Sequence, residues 1–389
     1  MTAWLLDPEV LHLNHGSFGA TPAAVLDAQN SIRERIEANP TRFFLEGEYQ
    51  EALDEARRAV AQFVGADEGG TVFVTNATAG VNSVLRSLEP ALLPGDEILV
   101  TDHEYNACAN AAVVSASRAG AVVTTAQVPF PLEHQRDVVD AVLAAVTDRT
   151  RILLIDAVTS ATGLVLPVVE LAAELEPDVQ VLVDAAHAPG MIDFDVAQSG
   201  ASYVTANCHK WMCSAKGAAF LWVRPDRRDG LYPAVISHGY NGGWPSEGGH
   251  LHAQFDWTGT HDPSAWLTVP HALAAVEAMH PCGWPGVKAA IREMCLGGRD
   301  VLIEALGIAP PAPADMIGAI ASVPLPPADN SGSAIFDPLM AALRERHGIE
   351  VPVFTWPAPP DRVLRISAHL YNRPSDYDRL AEALAAELR

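Results

Sequence analysis

Between about residue 20 and residue 225, short apolar runs rich in β-branched residues alternate with stretches of helical spacing. That alternation is the mark of a mostly parallel sheet whose strands are joined by crossover helices. The predicted strands are Val72 to Thr75, Glu97 to Thr101, Ala121 to Ala126, Arg151 to Ala157, Val179 to Asp184, Tyr203 to Ala206 and Ala218 to Val223. Several are apolar on consecutive residues, which implies burial of both sheet faces. Directly after the first strand, Val81, Val84, Leu85 and Leu88 fall at i, i+3, i+4 and i+7, and Pro90 ends the helix they predict.

From about Pro263 the order changes to long helices first. Strands are then expected near Ala319 to Val323, Glu350 to Phe354 and Val363 to Ser367, with a closing helix to Arg389. The fold class is therefore α/β: a large domain over 20–262, with a mostly parallel seven-stranded sheet, and a smaller C-terminal α+β domain over 263–389. Residues 1–19 are assigned to the small domain as a segment that lines the site. Ala309 to Ala314 and Pro324 to Ser333 read as loops.

Composition narrows the function classes. With 389 residues, 49% of them hydrophobic, the chain can bury a large core. Its 25 Lys+Arg against 48 Asp+Glu leave a net charge of −23 with scattered basic residues, which argues against nucleic acid as a partner. No stretch nears the roughly 20 apolar residues that span a bilayer, so no membrane partner is expected. Five cysteines without a CxxC pair suit neither a disulfide framework nor a zinc site. A reducing cytoplasm and no metal are the expectation.

The sharpest local chemistry lies in Val181-Leu-Val-Asp184-Ala-Ala-His187-Ala-Pro-Gly190 and Tyr203-Val-Thr-Ala-Asn207-Cys-His209-Lys210-Trp211. Asp184 closes an apolar run, which puts its carboxylate at the C-terminal edge of a parallel sheet, where open α/β sheets bind ligands. A carboxylate there can keep a pyridine nitrogen protonated; alone, it reads equally well as a helix N-cap. Lys210 follows a strand between His209 and Trp211, a setting that desolvates an amine and depresses its pKa, as Schiff-base chemistry requires. The turn Thr75-Asn76-Ala77-Thr78-Ala79-Gly80 offers backbone N–H groups and a hydroxyl at a helix N-terminus, a suitable seat for a phosphate.

This constellation resembles the class V aminotransferase family of fold-type I pyridoxal 5'-phosphate (PLP) enzymes, in its isopenicillin N epimerase-like branch. The matching pieces run nearly end to end: Leu13-Asn-His-Gly-Ser-Phe-Gly19, Asn76-Ala-Thr78, Asp102-His-Glu-Tyr105, Val158-Thr-Ser160-Ala-Thr-Gly163, Val183-Asp-Ala-Ala-His187-Ala-Pro-Gly190, His209-Lys210-Trp211, Gly259-Thr260 and Leu364-Arg365-Ile-Ser367. The resemblance implies PLP as cofactor, held by Lys210 as a Schiff base, with Asp184 on the pyridine nitrogen and His187 and Ser160 near the phenolic oxygen. It implies a phosphate cup of Ala77, Thr78, Ala79, Asn207 and His209. Gly259 and Thr260 would reach into this cup from a second subunit, so a homodimer with shared sites is expected. Tyr105, or else His103, would stack on the ring face opposite Lys210. Arg365 would grip a substrate α-carboxylate in a bidentate fork. Asn14, His15 and Arg42 are further candidates to face the substrate.

The expected activity is abstraction of the Cα proton of an amino acid by Lys210, with the protonated ring spreading the resulting charge. β-Elimination from a cysteine-derived substrate asks for nothing beyond Lys210 and a leaving group, so a C–S lyase ranks first. Epimerisation needs a second acid across the ring, for which Tyr105 and His15 are the candidates. Ala157 and the Asp102-His103 pair depart from the epimerase-like pattern. Transamination is a further alternative. A persulfide-forming desulfurase is disfavoured because no cysteine follows Cys295, and the loop at Asn330 to Ser333 carries only hydroxyls and an amide. A non-catalytic PLP-fold protein would be expected to lack Lys210 or Asp184. A nucleotide-binding dehydrogenase would need a Gly-x-Gly-x-x-Gly turn that the N-terminal half lacks.

Overall fold

The fold, a computed structural model, is described for residues 3–244, 246, 248–328 and 337–388. Its strands are β1 (Leu11–His12), β2 (Thr71–Val74), β3 (Glu97–Thr101), β4 (Val122–Ala126), β5 (Thr150–Asp156), β6 (Gln180–Asp184), β7 (Tyr203–Asn207), β8 (Ala219–Val223), β9 (Ile320–Leu325), β10 (Ile349–Glu350), β11 (Val353–Thr355) and β12 (Arg362–Ser367). Seven of them form one sheet in the order β2-β8-β7-β6-β5-β3-β4. The pairs β7/β6, β6/β5, β5/β3 and β3/β4 are parallel, and β8 runs antiparallel to both β2 and β7.

The apolar runs are continuous because both faces of this sheet are covered. Phe73, Leu99, Leu153, Val181 and Val204 enter one core, while their neighbours Val72, Ile98, Ile152, Leu182 and Tyr203 enter the other. This is the alternation a pleated strand imposes. Only the edge strand β4 is largely exposed. The larger core continues without a break into Ile320, Val323, Leu364 and Tyr377 of the C-terminal region.

There the sheet is three-stranded and antiparallel, β11-β12-β9, packed on the helices Gly283–Leu306 and Pro374–Glu387. The expected strand from Glu350 to Phe354 is divided into β10 and β11, because Pro352 between them has no N–H to give to a ladder. Pro324, expected in a loop, lies inside β9; that strand is at the sheet edge, where a missing donor is tolerated. The rest of that loop, including Asn330 to Ser333, lies outside the described residues from 329 onward. The N-terminal segment joins this region: β1 pairs in parallel with β10, and the Ser367 N–H donates to the Leu13 carbonyl at 2.9 Å.

The candidate loops that follow strands of the large sheet leave its same edge. The codirectional strands β2, β3, β5, β6 and β7 deliver Asn76, Tyr105, Ser160, Asp184 and Lys210 to their C-terminal side. Open α/β sheets bind ligands on that side.

Candidate active site

Asp184 is the last residue of β6 and is buried. Its Oδ1 accepts the Ala186 N–H at 2.9 Å and its Oδ2 accepts the Cys108 thiol at 3.2 Å. Burial raises its pKa, against the pull of the Ala186 N–H, the Cys108 thiol and Lys210. Lys210 sits three residues past β7, partly buried, with Nζ 3.0 Å from His187 Nε2. Burial brings its pKa down to about 8 and Arg365 adds to that, while Asp184, Asp156 and the Cys108 thiol oppose it.

Two more acids adjoin Asp184. Asp156 ends β5 directly opposite it in the parallel register, and Glu104 precedes Tyr105. Asp156 Oδ2 and Glu104 Oε2 are buried and have no hydrogen-bond partner. Burial pushes both well above the usual carboxylate range, and mutual repulsion with Asp184 adds to the rise. The sequence reading missed both. Asp156 nevertheless carries the same signal as Asp184, an acid closing an apolar run, and Glu104 stands inside the quoted Asp102-to-Tyr105 motif.

Across the site, Arg365 projects from β12 with 1% of its surface exposed. One Nη donates to the Ser160 carbonyl at 2.6 Å; the other donates to Ser17 Oγ at 2.8 Å and Asn14 Oδ1 at 3.4 Å. Phe354 lies 4.9 Å beneath the guanidinium. Its Nε is buried with no acceptor, and among the described residues no carboxylate pairs with it. Burial lowers its pKa to about 10, partly offset by Tyr105. Tyr105 itself is 46% exposed at the start of the helix Asn106–Ala119, and its hydroxyl is sensed by both Asp184 and Arg365.

The helix Ala77–Leu88 starts at the end of β2. Asn76 caps it by accepting the Ala79 N–H at 2.8 Å, and Asn207 Oδ1 accepts the Ala77 N–H at 2.9 Å. Among the described residues the Thr78 N–H and hydroxyl donate to no protein group. The helix lies hard against β7: a Cβ on Gly80 would come within 2.1 Å of Thr205 Oγ1. His209 donates from Nδ1 to the Ala218 carbonyl at 3.0 Å, and burial depresses its pKa to about 4.

Some candidates sit elsewhere. His15, expected to face substrate, is fully buried behind Lys210. Its Nε2 donates to the Lys210 carbonyl at 3.1 Å, and its Nδ1 accepts from Ala20 N–H and Tyr371 hydroxyl at 3.3 and 3.1 Å. His103 spends both nitrogens on Thr162 Oγ1 (2.7 Å) and the Val128 carbonyl (3.0 Å), with its ring on Trp356. Ser160 turns its carbonyl and hydroxyl to Arg365. Arg42 is exposed, and no described bond links it to this cluster. Gly259, at φ 120°, and the exposed Thr260 are likewise unlinked to Lys210 of the same chain. Farther along the chain, Trp244 stacks on Trp257 at 4.4 Å.

The arrangement compares closely with known proteins. The sequence profile of the family described as Aminotransferase class-V matches residues 17–244. Isopenicillin N epimerase of Amycolatopsis lactamdurans is 35% identical over 98% of both chains. A protein named probable L-cysteine desulfhydrase, chloroplastic, of Arabidopsis thaliana is 30% identical over 98% of this chain and 84% of its own. In structure, the cysteine desulfurase of Thermococcus onnurineus NA1 superposes with a TM-score of 0.80 at 19% identity, covering 98% of this chain and 95% of that one. The cystine C-S lyase C-DES superposes at 0.79 and 21%, covering 97% and 98%. At these identities the structural likenesses speak to the fold.

Proposed function

The chain belongs to the class V aminotransferase family, with pyridoxal 5'-phosphate as cofactor, and from that premise we propose that it is a β-eliminating lyase that cleaves the C–S bond of a cysteine-derived amino acid. The residues present fit the cofactor. A buried acid cluster with orphaned oxygens suits a pyridinium, the Thr78 donors at a capped helix N-terminus suit a phosphate, and a depressed lysine suits an aldehyde. Bound there, the group's protonated ring withdraws electrons from the substrate Cα.

Placement supports the following roles. Asp184 holds the proton at the ring nitrogen, beside Glu104 and Asp156, whose pKa values burial raises. Ala77, Thr78 and Ala79, with Asn207 and His209, form the phosphate seat. Tyr105, half exposed and close to both Asp184 and Arg365, covers the ring; His103, with both nitrogens spent, serves as wall. Lys210 carries the cofactor and then moves the Cα proton. Arg365 takes the substrate carboxylate, the anion its buried guanidinium lacks.

The observation that favours elimination is the position of His15. Of the two candidates for a second acid, it is turned away behind Lys210, its ring saturated with protein partners, and burial holds it neutral. β-Elimination needs only Lys210 as base: the Cα proton leaves to Lys210 and the Cβ–S bond breaks to expel the sulfur as an anion. Epimerisation is a second reading, supported by the 35% identity to the Amycolatopsis epimerase and by Tyr105, whose hydroxyl could return a proton from the opposite face. We infer further that the working unit is a homodimer in the cytoplasm, with Gly259 and Thr260 of one subunit completing the other's phosphate seat; among the described residues no helix is long and apolar enough to cross a membrane.

The test uses PLP-loaded protein with L-cystine, L-cysteine and L-cysteine conjugates. Pyruvate in equal amount with the expelled sulfur, sulfide from L-cysteine, persulfide from L-cystine and thiol from a conjugate, supports the lyase. Solvent deuterium entering Cα with inversion and without keto acid selects the epimerase. Borohydride should fix the cofactor's mass on the Lys210 peptide, and a different labelled lysine would sink the whole reading.

A further inference from the structure

Lys210 and Trp211 are sequence neighbours, yet both side chains reach the same imidazole. The Trp211 indole, 1% exposed, donates to His187 Nδ1 at 3.3 Å, and His187 Nε2 lies 3.0 Å from Lys210 Nζ. The indole is held in place: His15 packs on it at 4.8 Å, and His369 stacks beyond at 6.1 Å. Gly190, three residues after His187, has φ 87°, and a Cβ there would come within 2.6 Å of the Trp211 backbone. The His187-Ala-Pro-Gly190 turn therefore fixes the distance between imidazole and indole.

An indole nitrogen can only donate, so His187 Nδ1 must accept. A neutral imidazole has one N–H, which is then on Nε2 and faces Lys210. An ammonium has three donors and no lone pair, so N–H would confront N–H; the 3.0 Å contact is satisfied only when Nζ is a free amine. An imidazolium is no escape, since its Nδ1–H would confront the indole. The charged and titratable groups that face His187 are Lys210, Arg365, His15 and His209, none of them an acid that would favour a cation. Those facing Lys210 are Asp184, Asp156, Arg365, the Cys108 thiol and His187 itself.

We propose that Trp211 is a positioning residue that locks His187 in its Nε2–H tautomer and thereby favours the free-amine form of Lys210, which condenses with the cofactor aldehyde. Condensation joins Nζ to the aldehyde carbon and releases one water, and it requires the nitrogen lone pair. The inference rests on the reading of Lys210 as the attachment point, and its test separates the two.

The first measurement is on cofactor-free protein with ¹⁵N-histidine, with His187 assigned by its loss in His187→Gln. Two-bond ¹H–¹⁵N correlations at neutral pH should show the Nε2–H tautomer. The Nδ1–H tautomer or an imidazolium overturns the proposal without touching the role of Lys210. The second is the pH profile of PLP capture by cofactor-free protein, followed by absorbance. Wild type should show its midpoint near pH 8, the value to which Lys210 is drawn. Trp211→Phe keeps the ring and loses the donor, which frees His187 to accept from an ammonium. The midpoint should rise by about one pH unit and capture at pH 7.5 should slow about tenfold. An unmoved midpoint in folded Trp211→Phe overturns the lock, and if that variant does not fold the tautomer measurement decides alone. Covalent capture by Lys210→Ala at the wild-type rate would instead sink the attachment reading.

Discussion

Replacing Arg365 by methionine should separate a substrate-binding arginine from a structural one. In wild type the guanidinium is buried without a carboxylate, its Nε aimed at no acceptor. Its fall from an ordinary 12.5 to about 10 puts the cost of keeping it charged at about 3 kcal/mol. Methionine has similar length and no such cost, but it gives up the bonds to the Ser160 carbonyl, Ser17 and Asn14, each worth roughly 1 to 3 kcal/mol. The two effects oppose, so the melting temperature of cofactor-free protein should move little. Catalysis has no such compensation. Losing a two-pronged charge-assisted grip on the substrate carboxylate forfeits about 3 to 5 kcal/mol, or roughly 10²- to 10⁴-fold in kcat/KM.

The decisive assay compares L-cysteine with cysteamine, which lacks the carboxylate. Wild type should discriminate strongly between them, and Arg365→Met should act on both at a similar low rate. Arg365→Lys, which keeps the charge and loses the fork, should fall between. Refutation would take the form of a variant that has lost activity but keeps its preference for L-cysteine, or one whose cofactor-free form is destabilised by several kcal/mol. Either result would make Arg365 a structural residue.

Three further outcomes are expected. Arg57 and Asp256 form a buried pair at 2.9 Å, so Arg57→Met, which leaves Asp256 uncompensated, should cost about 3 to 5 kcal/mol in urea unfolding; a loss below about 1 kcal/mol would contradict the pairing. Gly80→Ala should push the helix Ala77–Leu88 off Thr205 and weaken PLP binding in a fluorescence titration far more than it perturbs the far-ultraviolet dichroism; unchanged affinity would remove this helix from the phosphate seat. If Gly259 and Thr260 serve the opposite subunit, Lys210→Ala mixed with an inactive Thr260→Arg variant should regain about one quarter of wild-type activity after subunit exchange, and no regain would place both residues on their own chain's site.

The large sheet was legible because its strands are buried on both faces, so that short consecutive apolar runs, bounded by turns and alternating with helical spacing, mark almost every one of them. Asp184 and Lys210 were legible because each follows such a run. What escaped was set by contacts distant in sequence. His15 bonds to a carbonyl 195 residues away, and β1 finds β10 across more than half the chain. Nothing within the Asn14-His15-Gly16 stretch announces either contact. Glu104 lay within reach of the same reasoning, but its significance depends on Asp184 and Asp156 converging on it from two other strands, and that convergence is a property of register.

Proton placement links these residues into one argument about the reaction. Around Asp184, burial raises the pKa of all three acids, and like charge adds to the rise for Glu104 and Asp156. On the other side, the indole, the imidazole and the amine stand in an order that leaves the lone pair on Lys210. Among these groups Arg365 is a cation without a carboxylate partner, the feature that supports its proposed role as the substrate-carboxylate site. Such a site takes a proton from Cα readily and has little with which to give one back from the opposite face, since His15 is bolted to the Lys210 carbonyl and Tyr105 is half in solvent. Charge built at Cα then leaves by the route that needs no donor, through the Cβ–S bond. Tyr105→Phe weighs the two readings directly: a lyase should lose little of its sulfur release, whereas an epimerase should lose its inversion.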